Sequence, residues 1–158
     1  MKDYFAEFSV NLHSLKKRIY KKIMQPIEFS NLPVYKKALE IFRVSRAIAC
    51  SISDNRNILE MEISEELNHR FAGELVTDAL ALVPELAVVQ NTSSHSLRLK
   101  RAREIQKSAS GILLKCRKLE FNGVKEKEFL SLLKSEIQQF NRIFAEWIYS
   151  LPMDKKVN

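Results

Sequence analysis

Apolar residues recur along this chain every third or fourth position, the spacing of one face of an α-helix. Nowhere do they alternate for long, as a half-buried strand requires. Over residues 3–24 the repeat is Phe5, Phe8, Leu12, Leu15 and Ile19, with Lys16, Lys17, Arg18, Lys21 and Lys22 on the other side. That predicts a basic amphipathic helix. Residues 26–31 read as a linker, and Ser30 or Asn31 can cap a second helix that has Pro33 in its first turn. This helix runs to about Ile52 on Val34, Ala38, Ile41, Ser45, Ile48 and Ile52.

After a polar turn at residues 53–57, the series Leu59, Ile63, Leu67, Phe71, Leu75, Ala79, Leu82, Leu86 and Val89 predicts one long helix, kinked at Pro84. Residues 91–96 form the next loop. Ala102, Ile105, Ala109, Ile112, Cys116 and Leu119 then alternate steps of three and four up to an Asn122-Gly123 stop. A last helix uses Phe129, Leu133, Ile137, Phe140, Phe144, Trp147 and Leu151, and Pro152 ends it. The expected fold is all-α: an antiparallel up-down four-helix bundle over residues 32–152, with an additional N-terminal helix within residues 1–25 and a tail at 153–158.

Composition agrees with this reading. Only 3 glycines and 4 prolines occur in 158 residues, too few turn formers for a sandwich or barrel. Charge changes the picture more. The formal net charge is +7, and it is unevenly placed. Residues 1–25 carry net +4, residues 54–86 net −6, and residues 95–127 net +7. On the helix of that last stretch Lys100, Arg103, Lys107 and Lys118 fall opposite the apolar seam, with Arg98, Arg101, Lys115 and Arg117 beside them. Cations along one helix face neutralise phosphates and release counterions, so these residues, with Lys16, Lys17 and Arg18, are the candidate contacts to an RNA or DNA backbone. The plainer reading is a solvated face, or a face that pairs with the acidic helix before it.

Catalytic chemistry finds little to work with. Glu66 and His69 form an ExxH, the element of carboxylate-bridged di-metal bundles, but such sites require a second ExxH, and none is present. His13 and His95 stand apart from it. Cys50 and Cys116 have no orienting base in a recognisable pattern and read as buried thiols of a reducing compartment. Gly73, Gly111 and Gly123 are too far apart for a phosphate-cradling loop. The expectation is therefore a non-enzyme with no cofactor and no metal. The N-terminus has no apolar leader segment, and the longest nearly apolar run, residues 79–89, is about half the ~20 residues a membrane span needs. A cytoplasmic protein without membrane contact is expected.

Two stretches carry a family resemblance. Leu32-Pro33-Val34-Tyr35-Lys36-Lys37-Ala38-Leu39 resembles the opening of the first bundle helix in a four-helix-bundle family. That family comprises the proteins encoded in 23S rRNA intervening sequences and the accessory variability proteins of diversity-generating retroelements. Arg142-Ile143-Phe144 leading into Trp147-Ile148 resembles the closing pattern of the accessory branch. The intervening-sequence branch carries a Ser-Ile-Pro-x-Asn-Ile-Ala-Glu-Gly-like stretch, of which Leu82-Val83-Pro84-Glu85-Leu86-Ala87 keeps only the aliphatic residue and the proline. The accessory branch is favoured on that ground. The resemblance implies a homo-oligomer, most simply a pentamer, that associates with a reverse transcriptase and binds nucleic acid. The alternative function is a protein–protein adaptor that binds no nucleic acid.

Overall fold

The structure, a computed structural model, describes residues 26–152. The basic N-terminal helix, with Lys16, Lys17 and Arg18, and the tail at 153–158 lie outside the described residues. The described residues form six helices and no strand: α1 (Pro26–Asn31), α2 (Pro33–Ser53), α3 (Ile58–Glu62), α4 (Leu67–Asn91), α5 (His95–Phe121) and α6 (Lys127–Ser150). Chain contacts divide the protein between Leu32 and Pro33. The segment expected as a linker, residues 26–31, is helical and lies just before that division. Pro26 sits at its first position, where a missing N–H is tolerated, and Leu32 N donates to Phe29 O at 3.1 Å as it closes.

From Pro33 onward, α2 packs on α4 and α6, and α5 packs on α4 and α6. The α2–α6 pair is antiparallel. Lys37 Nζ donates to Glu136 Oε2 at 2.7 Å and to Gln139 Oε1 at 2.9 Å, while Ser51 Oγ donates to Glu126 Oε1 at 2.8 Å. Most of the expected seam positions enter the core, while Ile52, Phe71 and Leu151 are half-buried. Val34, Ala38, Ile41, Ser45 and Ile48 of α2 are buried, as are Leu75, Ala79, Leu82, Leu86 and Val89 of α4. All six seam residues of α5 are buried, and so are Leu133, Ile137, Phe140, Phe144 and Trp147 of α6. Phe129 departs from expectation. It is exposed, and Leu130 takes the core position instead.

The larger correction lies between residues 58 and 67, where the single long helix expected from the leucine spacing is broken. Asn57 caps α3 in a reciprocal box: Glu60 N donates to Asn57 Oδ1 at 2.9 Å, and Asn57 N donates to Glu60 Oε2 at 3.4 Å. Helix α3 ends after Glu62. Ser64 Oγ then accepts from Glu66 N at 3.2 Å, a local bond that competes with the helical ladder. The break turns the expected core residues outward: Leu59, Ile63 and Leu67 are 75%, 83% and 53% exposed. Met61 is buried in their place, because α3 folds onto α4. The contact is close enough that a Cβ at Gly73 would lie 3.0 Å from Met61 Cβ.

Helix α4 continues through Pro84, which is exposed, so the backbone bond it lacks is lost on the solvent side. The Asn122-Gly123 stop is as expected. Gly123 has φ +73°, Gly123 N donates to Glu120 O at 3.0 Å, and Val124 N donates to Leu119 O at 3.3 Å. This paired bonding satisfies the last carbonyls of α5 and needs a residue at ease in the left-handed region.

Candidate nucleic-acid interface

Ser94 starts α5 by accepting from Leu97 N at 3.5 Å, and the helix runs 27 residues, about 40 Å at 1.5 Å per residue. Its apolar seam docks against α4 and α6, which leaves the opposite face to water. Lys100, Arg103, Lys107, Arg117 and Lys118 are all exposed there. Lys107 meets Glu104 at 3.2 Å on its own helix, a surface pair of small energetic value. Lys118 Nζ lies over the Phe71 ring, 4.9 Å from its centroid, an arrangement that favours the cation and fixes where it sits.

Three of the expected contacts are placed differently. Arg98 is only 6% exposed. Its Nε and Nη2 donate to Thr92 O at 3.1 and 2.8 Å, and its Nη1 donates to Pro152 O at 2.6 Å. It is a staple between the α4–α5 loop and the end of α6, which corrects its assignment as a phosphate contact. Lys115 is half-buried and donates to Asp78 Oδ2, with Glu74 Oε2 at 3.8 Å. Gly111 makes room for this pair, since a Cβ there would stand 3.1 Å from Asp78 Oδ2. Lys115 therefore ties α5 to the acidic α4 within one chain and is likewise removed from the outer ridge. Arg101 is half-buried, and its Nε is enclosed without a hydrogen-bond partner.

Two acidic residues of the preceding segment are also engaged within the chain. Glu62 accepts from Thr77 Oγ1 at 2.6 Å, and Glu66 lies 2.8 Å from His69 Nε2. The two polar residues of the ExxH thus meet each other within one turn. Among the described residues, no three His, Cys, Asp or Glu side chains are grouped to hold a metal. Cys116 is buried, and that burial pushes its thiol up to about 12, with Glu120 adding to the shift and Lys134 opposing it. Such a thiol stays protonated and makes a poor nucleophile. Cys50 is half-buried.

One feature of this face escaped the seam pattern. Where α5 ends, Phe121 is 91% exposed, and with Leu67, Phe71, Arg117, Lys118 and Asn122 it lines an open cleft of about 450 Å³ between α4 and α5. The sequence signal was an aromatic residue lying off the apolar seam directly before a helix stop. Beside it Asn122 Nδ2 donates to Asn68 Oδ1 at 2.7 Å. Among the described residues no helix is long and apolar enough to cross a membrane. Comparison with protein-family models found no match, nor did comparison with curated proteins or with solved structures.

Proposed function

We propose that the four long helices form an antiparallel up-down four-helix bundle whose α5 face binds the phosphate backbone of RNA or DNA. In this reading the chain is a non-enzymatic, cytoplasmic accessory protein, similar to the accessory variability proteins of diversity-generating retroelements, with a reverse transcriptase as its partner. The observation that carries it is the exposure of Lys100, Arg103, Lys107, Arg117 and Lys118 on one helix whose apolar side is fully docked. Among these five, only Lys107 has a carboxylate within ion-pair distance among the described residues. Cations so arranged attract a polyanion without reading its sequence.

The test is a Lys100→Glu, Arg103→Glu double variant. Affinity should fall about equally for all nucleic acid sequences, and the log–log salt slope should flatten by about 1–2 units. Both side chains face water, so stability should stay within about ±0.5 kcal/mol per substitution. Unchanged affinity in the folded variant would favour the protein-adaptor function, for which the exposed Leu59 and Ile63 supply an apolar contact.

Assembly is part of the same proposal. A ring of like subunits multiplies weak cationic contacts along a long polyanion, which raises avidity without new chemistry. Light scattering should give a multiple of the 18.4 kDa chain mass, fivefold for a pentamer. A monomeric mass at tens of micromolar, a rough concentration above weak interface affinities, would remove the ring from the proposal.

A further inference from the structure

The cleft at the end of α5 combines features that a phosphate-binding ridge alone does not require. Lys100, Arg103, Lys107, Leu114, Lys118 and Phe121 follow one another at helical steps of three, four or seven, so they share one face. The cationic ridge therefore runs about 30 Å along α5 and finishes on an aromatic ring. That ring is 91% exposed, with Arg117 four residues and Lys118 three residues before it. Lys118 is held at the cleft by the Phe71 ring beneath it. Asn122 adds an amide at the rim.

We infer that this cleft takes an unpaired base of a single-stranded nucleic acid, which stacks on Phe121 while Arg117 and Lys118 hold its flanking phosphates. This rests on the nucleic-acid reading above and deepens it, because a duplex keeps its bases stacked on one another and offers nothing to the ring. Aromatic rings beside a cationic track bind single strands in this way, with little sequence preference, since every base has a π-face. The choice of a nucleic acid over an apolar protein segment follows from charge: the two side chains that flank Phe121 on its helix face are both cations.

The experiment compares binding of an oligouridylate of about 12 nucleotides, within the usual range of single-strand sites, with an RNA duplex of the same length. Fluorescence anisotropy is measured on the full chain and on Phe121→Ala. The substitution should weaken oligouridylate binding about tenfold and leave duplex binding unchanged. Phe121→Trp, which keeps a stacking surface, should bind the single strand at least as well as the parent. With Phe121 this exposed the variants should fold, and circular dichroism checks it. Equal weakening of both probes, or of neither, would overturn the inference while salt-dependent duplex binding left the ridge intact. A changed oligomeric mass in Phe121→Ala would also overturn it, by assigning the ring to a subunit contact. Failure of the parent chain to bind either probe would remove the nucleic-acid reading itself.

Discussion

Arg98→Ala should lower the unfolding free energy by about 3 kcal/mol, far beyond what loss of one surface charge from a net +7 chain would do. The guanidinium is buried and holds two backbone carbonyls, Thr92 O and Pro152 O, through three donors. Hydrogen bonds from a charged group contribute about 1.5–3 kcal/mol each, and truncation also leaves both carbonyls short of a partner. Lysine should not rescue the loss, because a single ammonium lacks the rigid fork that spans both acceptors. Urea denaturation gives the readout: the midpoint should fall while the slope stays constant. A change within about 0.5 kcal/mol would mean that Arg98 is free, as the phosphate-contact expectation had it.

Phe140→Ala should cost still more, about 3–5 kcal/mol, the range for emptying a large aromatic site in a packed core. Phe140 is fully buried and stacks on Phe144 with centroids 5.6 Å apart and planes 15° from parallel. Phe144 in turn lies 6.0 Å from Trp147. Trp147 is the single tryptophan of the chain, so its fluorescence reports on the altered column directly. Phe129→Ala provides the contrast. Phe129 is 51% exposed, and its truncation should cost less than about 1 kcal/mol. Equal losses from the two variants would place Phe129 in the core and contradict the packing of α6.

The sequence pattern was most informative where a helix is long and docked along its whole length. On α5 the steps of three and four from Ala102 to Leu119 match the buried face residue for residue, because one uninterrupted helix has one period. The same rule, extended one step back, would have found the Arg98 staple. Position 98 is four residues before Ala102 and lies on the seam itself, so its side chain had to enter the core or be held at its edge. Lys115 precedes Leu119 by four and follows Ile112 by three, and its capture by Asp78 has the same origin. What periodicity could not show was the break between α3 and α4. Leu59, Ile63, Leu67 and Phe71 keep four-residue spacing straight across it, so the pattern continues where the helix does not. The Asn57 box and Ser64 decide the break through local hydrogen bonds, to which an apolar period is blind. The cleft at Phe121 was hidden for a related reason. It arises from the ends of two helices brought side by side, and neither helix carries it alone.

The ion pair between Lys37 and Glu136 has a consequence for how the chain finds its fold. It spans 99 residues of chain. The α4–α5 and α5–α6 contacts, by comparison, join helices that follow one another through short turns, and α2 meets α4 across α3 alone. Closing a loop of that size instead of one of about 20 residues costs only roughly 1.4 kcal/mol more, since the entropy grows with the logarithm of length. A topology built largely from such near-neighbour encounters has a low contact order and is expected to fold fast. Among the described helices that pack together, α2 and α6 are the pair farthest apart in sequence, so their seam is the encounter that waits longest.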